Sequence, residues 1–587
     1  MTTTQRTEGL LPVDEAGQRW VDTTLGALDV DQKIGQLMVF PHYGTFITPD
    51  VVEMIRRYHA GGLRIAQKFA PGAADGRANG GSGDPFKRPD ADIFDRPEQM
   101  ERISCTAEEF ARTLNELRDM ALDRPGGVPL HTAFDQEGEG ADFLFEQRLY
   151  PFPMGQVASG DPDLAYRVAL ALGRQTRALG ANMIHSPVLD VNTEPGNPEI
   201  GPRAYGDDPD TVTRYALESL RGFNESGIAA TGKHFPGRGH SNADAHFGLP
   251  EIDLDRETML RVHLAPYKAL IEAGLPCVMA AFTSYPALGA DGVPAATCRA
   301  IVTDLLRGEL GFKGVVTTDN VQMGGLLAKC GMGEAVVRCL IAGCDLVLCR
   351  AYNRQKIEVL QAVKQAVIEK RYTEAALDAS VARILALRWK TGLVENGGKV
   401  DPSKAGAAFH KAAHKDLALE AAAKSTVLLR DRAGLLPLPA DKKILLVEQI
   451  HHFHRFINNT YVHPGMLWQE MRAHSPNVSV VAVNEKMTEA DAAAVRRRLD
   501  DADIIVSTSY YNYRNHAIML PFLEELRATG KPLVILANTP YRQFGVPDWV
   551  DTAVVSFCPS GRENLRVAAE ILFGKRHSTA SLSVSQL

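Results

Sequence analysis

The sequence predicts a (β/α)8 barrel followed by a second, open α/β domain, and three observations carry that prediction. Short apolar runs of strand length alternate with longer amphipathic stretches. Eight such runs, most of them followed by a helical pattern, fit within about residues 20–395. A polar stretch bearing Gly and Pro then breaks the rhythm, and a new set of apolar runs begins beyond it.

In chain order the candidate barrel strands are residues 37–40, 62–66, 131–134, 181–187, 229–233, 277–282, 314–318 and 344–349. The intervening helices are read from "PDVVEMIRRYHA", "EEFARTLNELRDMAL", "DLAYRVALALGRQTRALG", "DTVTRYALESLRGFNES" and "APYKALIEAG", where apolar residues recur every three or four positions. The barrel domain is assigned to 1–395. The stretch "ENGGKVDPSKAGAAFHKAAH" is assigned as a linker, 396–415. The runs "KILLVEQI", "VSVVAVN", "ADIIVSTSY", "KPLVILAN" and "TAVVSFC", separated by helical patterns, then predict the strands of a second, open α/β domain over 416–587. One insertion, residues 70–100, is rich in Gly, Asp and Pro and follows the second strand. It is expected to be an exposed loop, either a lid over the barrel mouth or a plain surface insertion.

Composition excludes several classes of function. The 587 residues are 45% hydrophobic and 23% charged, as in an ordinary globular protein. A net charge of -7 argues against a nucleic-acid partner, which needs a basic face. No unbroken apolar run approaches about 18 residues, so no membrane span is expected. The N-terminus lacks a basic start followed by an apolar run, and no signal peptide is expected. The cysteines at 105, 277, 298, 330, 339, 344, 349 and 558 make no Cys-x-x-Cys pair. Reduced thiols in a cytoplasmic protein are the expectation, as a monomer or homodimer.

The chemistry gathers just past the strand ends, where barrels of this kind form their sites. "FDQEGEG" follows strand three with Asp135 and Glu137, and "SPVLDVNTEPGNPEIGPRAYGDD" follows strand four with Asp190 and Arg203. Strand five runs into Lys233 and His234, and strand seven ends at Asp319. One such residue is more simply a capped strand end, but four strands converging on one rim favour a site. Asp319 could be a nucleophile, a metal ligand or the N-cap of the next helix. In "DAH", Asp244 and His246 are two residues apart and point the same way in an extended loop. The carboxylate can then orient one imidazole nitrogen and favour the protonated ring, leaving the other nitrogen to move protons. The rim segments carry no His-x-x-x-His and no Glu-x-x-His, so no metal or cofactor is expected there. A cluster of His234, His240 and His246 is the weaker alternative.

These residues resemble a known pattern. "KHFPGRGHSNADAHFGLP" is similar to the Lys-His-Phe-Pro-Gly-His-Gly…Asp-Ser-His…Leu-Pro signature of glycoside hydrolase family 3, in its β-N-acetylglucosaminidase branch. "FDQEGEG", "NPEIGPRAYGDDP" and "VPAATCRAIVTDLLRGELGFKGVVTTDNVQMGGL" resemble further segments of that family in the same order. "AAKSTVLLRDRAGLLPL" and "ILFGKRHSTASLSV" resemble the edges of its C-terminal domain. The resemblance implies Asp319 as the nucleophile of a retaining β-glycosidase and His246, paired with Asp244, as its acid/base. Asp135, Arg203, Lys233 and His234 would hold the hydroxyls of the terminal sugar. The chain departs from the pattern at Glu139-Gly140, at Arg238, where the family has His, and at Phe282, where this branch has His.

The implied reaction is release of terminal N-acetylglucosamine from chitin or muropeptide fragments. A phosphorylase with the same residues, a β-glucosidase and a catalytically silent sugar-binding protein are the alternatives. Loops near His454 and Tyr511 in the second domain are rich in Asn, Tyr and His. They are expected either to build an aglycone subsite over the barrel or to form an interface.

Overall fold

The computed structural model describes residues 11–66, 106–138, 148–351, 353–450, 465–484, 487–511 and 519–585. The 70–100 insertion, Glu139, Gly140 and His454 lie outside them. Eight parallel strands close into a barrel in simple sequence order. They are β1 (Met38–Tyr43), β2 (Gly62–Ala66), β3 (His131–Phe134), β4 (Met183–Ile184), β5 (Ala229–Phe235), β6 (Cys277–Ala280), β7 (Val315–Asn320) and β8 (Leu346–Leu348). The ring is closed where Met38 and Val39 pair with Val347 and Leu348.

Each expected strand is present, with two informative differences. The fourth is only two residues long, because Pro187 removes a donor from the ladder. The chain rejoins its neighbour only as an isolated bridge from Val188 to Lys233. The seventh runs past its expected end, so Asp319 sits inside β7. The next helix, Gly324–Leu327, has Met323 at its N-cap. Asp319 is therefore not a helix cap.

The helices form where the apolar period and caps coincide. Ala107–Leu122 begins with a capping box of Thr106 and Glu109 and turns Phe110, Leu114 and Leu117 to the barrel. Pro162–Ala178 and Pro209–Glu225 each start with Pro in the first turn and pack side by side.

The stretch 396–415, expected as a linker, is largely helical. Asp401 caps the helix Pro402–Phe409, and Ala412–Ser425 begins directly after it. Ala405 and Phe409 are buried in the core of the barrel domain. Gly and Pro suggested a break here, but Pro402 occupies a first-turn position that has no N–H to lose.

Beyond it lie β9 (Val427–Asp431), β10 (Ile444–Ile450), β11 (Val478–Asn484), β12 (Ile504–Ser509), β13 (Leu533–Ala537) and β14 (Thr552–Val555). They form one sheet in the order β11-β10-β12-β13-β14-β9. All neighbours are parallel except β9, which runs antiparallel to β14 at the edge. The two domains share apolar surface: Phe152 and Met154, from the barrel side, sit in one cluster with Val447, Ile535, Val555 and Phe557 of the sheet. A backbone hydrogen bond from Phe152 to the Phe557 carbonyl (3.0 Å) and ion pairs Arg148–Glu563 and Arg167–Glu420 join the same boundary.

Candidate active site

The carboxyl ends of β3, β4, β5 and β7 bring together the residues that the sequence marked as a rim. The carboxylates of Asp135 and Glu137 each have cationic partners, as their burial requires. Asp135, just past β3, is bound by Arg64 of β2 and by His185 Nδ1 at 2.6 Å. Glu137 is held in a bidentate clamp by Arg203 (2.7 and 2.9 Å) and by Lys233 Nζ at 2.6 Å. Burial alone would push both carboxyls up, but these cations hold them far below the usual carboxylate range.

Asp190 accepts from His234 Nδ1 at 2.7 Å and from the Arg238 backbone N–H at 2.7 Å. Burial pushes its carboxyl up to about 6. Burial, with Arg238, Arg203 and Lys233 nearby, keeps His234 well below the usual imidazole range. A neutral His234 whose Nδ1–H points to Asp190 presents Nε2 as an acceptor for a hydroxyl.

The other half of the site lies on the loop after β5. His246 Nδ1 meets Asp244 Oδ1 at 2.7 Å, and the His246 backbone N–H donates to the same oxygen at 2.8 Å. This is the orienter geometry expected from the i, i+2 spacing. A second carboxylate, Glu199, approaches His246 Nδ1 at 3.3 Å. Burial opposes protonation of His246, yet Asp244 and Glu199 outweigh it and raise the ring to about 9. Glu199 in turn contacts Arg238 Nη2 at 2.8 Å, and the same nitrogen lies 3.4 Å from Asp319 Oδ2. An unbroken line of contacts thus runs from Asp319 through Arg238 and Glu199 to His246 and Asp244.

The loop is docked rather than swung out. Gly324 and Gly325, after β7, donate backbone hydrogen bonds to the carbonyls of His246 (3.0 Å) and Ala245 (2.9 Å). A Cβ at Gly325 would meet the Phe282 carbonyl at 2.6 Å, and one at Gly239 would meet the Val191 carbonyl at 1.9 Å. The glycines serve close approach here.

The three-histidine alternative is not assembled among the described residues. His240 Nδ1 pairs with Thr193 Oγ1 at 2.9 Å, away from the His234–Asp190 pair. Glu199, Asp244 and His246 do place one ligand atom each within 4.8 Å of one another. The Arg238 guanidinium already supplies that cluster with a cation, so its chemistry suits a proton better than a metal ion.

Sequence reasoning missed Glu199, Arg64 and His185. Arg64 carried a usable signal, a charged residue inside an apolar strand. Glu199 and His185 carried none, because their roles depend on contacts across the rim. The second domain also reaches the site. Tyr511 donates its hydroxyl to the Pro198 carbonyl and stacks on Phe544 at 4.3 Å. Asn192 Nδ2 donates to the Tyr541 hydroxyl at 2.9 Å. Tyr511 is thus buried against the loop that carries Glu199, not displayed to a ligand.

The Glycosyl hydrolase family 3 N terminal domain model matches residues 29–387. A β-hexosaminidase A of Pseudoalteromonas piscicida is 30% identical over 377 residues, 60% of this chain and 63% of that protein. The chain thus spans under two thirds of that relative. A β-N-acetylglucosaminidase/β-glucosidase of Cellulomonas fimi is 28% identical over 73% of this chain and 70% of its own length. Among solved structures, a glycoside hydrolase family 3 β-N-acetylglucosaminidase from Paenibacillus sp. superposes with a TM-score of 0.81 at 28% identity, covering 95% of this chain and 99% of that one. A β-glucoside phosphorylase superposes with a TM-score of 0.80 at 22% identity, covering 100% and 99%. That second likeness is one of fold.

Proposed function

The chain belongs to glycosyl hydrolase family 3, and from that premise we propose that it is a retaining β-N-acetylhexosaminidase that releases terminal N-acetylglucosamine from chitin or muropeptide fragments. One observation carries the reading: an imidazole oriented by an aspartate, His246 on Asp244 at 2.7 Å, linked by Arg238 and Glu199 to a carboxylate at the end of β7. In the first step an Asp319 oxygen attacks the anomeric carbon, and the glycosidic C–O bond breaks. The Nε2 proton of His246 passes to the leaving oxygen. In the second step water attacks the same carbon and gives its proton to Nε2. The ester bond breaks and its electron pair returns to Asp319. Asp135, Arg203, Lys233 and His234 are assigned to the hydroxyls of the terminal sugar, where contacts count most if they tighten in the transition state. The names of the relatives support the choice of sugar.

A second reading, phosphorolysis, is favoured by the acid/base itself. A histidine that has lost its proton repels an incoming phosphate less than a carboxylate does. No helix among the described residues is long and apolar enough to cross a membrane. We assign the enzyme to the cytoplasm, as a monomer or homodimer. Cys277, Cys298, Cys330, Cys339, Cys344 and Cys349 form no disulfide among the described residues, and five of these six are buried, which suits a reducing compartment.

The test is a screen of aryl β-glycosides with and without phosphate. Hydrolysis of the N-acetylglucosaminide without phosphate is expected, and Asp319→Ala should lower kcat by roughly 10^3–10^5. A rate that requires phosphate would select the second reading. Turnover of another sugar alone would overturn the substrate, and an active Asp319→Ala would overturn the mechanism. Unchanged sugar binding with no turnover by the wild type would make the chain a binder.

A further inference from the structure

Glu199 and Arg238 are not assigned by the reaction above, yet both are 2% exposed and stand between its two working groups. We propose that they are a paired set of positioning residues, which keeps the nucleophile and the acid/base in working geometry while each changes charge. The proposal rests on the glycosidase reading of the same site.

The argument begins from what burial demands. A buried carboxylate or guanidinium without a counter-ion is costly. Glu199 Oε1 faces Arg238 Nη2 at 2.8 Å on one side and His246 Nδ1 at 3.3 Å on the other. Arg238 faces Glu199 and, at 3.4 Å, Asp319, and its backbone N–H is fixed by Asp190. Each member of the pair therefore has the other as one counter-ion and a reacting group as a second.

The reaction removes the second counter-ion from both. When Asp319 forms the glycosyl ester it loses its negative charge, and Arg238 loses that partner. When His246 gives up its proton it loses its positive charge, and Glu199 loses that partner. Both losses occur in the same step, so the formal charge of the whole group is unchanged. Neither buried ion is stranded, because Glu199 and Arg238 still face one another. Sequence fits this coupling: the resemblance leaves the Glu199 position unspecified and has His at 238, and here an acid and a base stand at the two positions.

Among the described residues, the charged and titratable groups facing His246 include Asp244 and Glu199 directly, with Arg238 behind Glu199 and His234 nearby. Gly324 and Gly325, packed on its loop from the β7 side, bring no charge. The two variants should consequently move the alkaline limb of kcat/KM in opposite directions. Glu199→Gln removes an anion and should shift the limb down by about one pH unit. Arg238→Gln removes a cation and should shift it up, with kcat reduced by about 100-fold as Asp319 loses its tether. Arg238→Lys keeps the charge and should recover part of kcat with the wild-type limb.

The measurement is the pH profile of kcat/KM on the aryl β-glycoside that the wild type turns over best, with Tm for each variant. A structural role alone would lower Tm and leave the limbs in place. An unmoved limb in either folded variant, or shifts of the same sign in both, overturns the pairing. A wild type that cleaves no aryl glycoside would instead overturn the glycosidase reading.

Discussion

Glu137 shows how a single residue can hold a site together without doing chemistry. Its carboxylate joins Arg203, which follows β4, to Lys233 of β5 across the rim. All three side chains are nearly inaccessible, so each charge relies on the others. Glu137→Gln keeps the shape but leaves two buried cations facing a neutral amide. The expected cost is about 3–5 kcal/mol of folding stability, read by urea unfolding. A cost below about 1 kcal/mol would mean that water or another anion already serves those cations. The carboxyl lies far below its unfolded value, so this contribution exists above the unfolded pKa and is lost only as pH falls through the folded one. It should therefore persist through mild acid. At this scale the sequence was legible for residue identity. Asp135, Lys233, His234, Arg203, Asp244, His246 and Asp319 do meet at one barrel end. It was not legible for partnership, because Glu137, Glu199 and Arg64 find their counter-ions on other strands.

Strand β10 carries the clearest case of an element burdened by its own sequence. In "ILLVEQI", Glu448 is the one ionisable residue, followed by Gln449, in a largely apolar strand flanked on both sides by parallel neighbours. One of its carboxyl oxygens accepts from the Leu467 backbone N–H at 3.0 Å. Burial pushes the carboxyl up to about 7, against the pull of backbone N–H groups at Leu467, Trp468 and Gly465. A folded pKa above the unfolded one favours the protonated form in the fold. The contribution is full below the unfolded value near 4.5 and is lost as pH rises through about 7. Glu448→Gln should thus stabilise the protein at pH 8 by on the order of 1–3 kcal/mol and make little difference near pH 4. Equal melting of both proteins at pH 8 would refute it. The strands were legible where apolar runs were long and flanked by turns. They were less so where a ladder is cut short, as at β4, or where an exposed antiparallel edge such as β9 lacks a buried run.

At the scale of the whole molecule, alternation of strand and helix made the barrel and the second sheet readable, because each unit's pattern is local. What one domain does to the other was not readable, since it depends on which loops meet. The second domain meets the site at Asn192 and Pro198, on the loop that leads to Glu199 and Arg203. Tyr541 and Tyr511 grip it from the sheet side, and Tyr511 is itself braced by Phe544. The expectation of an aglycone subsite at Tyr511 would make that residue matter only for long substrates. A brace predicts something else: loosening the loop should affect every substrate alike, because Glu199 directly follows Pro198 and lies two positions before the helical turn Gly201–Arg203. Tyr511→Phe keeps the stacked ring and leaves the Pro198 carbonyl without its donor. About 1–3 kcal/mol of stability should be lost. Because the loop also carries Glu199, kcat/KM for a short aryl glycoside and for a longer oligosaccharide should fall together, by roughly 3–10-fold. Parallel kinetics on the two substrates decide the point. A fall confined to the oligosaccharide, carried by KM, would return Tyr511 to ligand binding. A common fall carried by kcat would make the second domain a structural part of the barrel's active site.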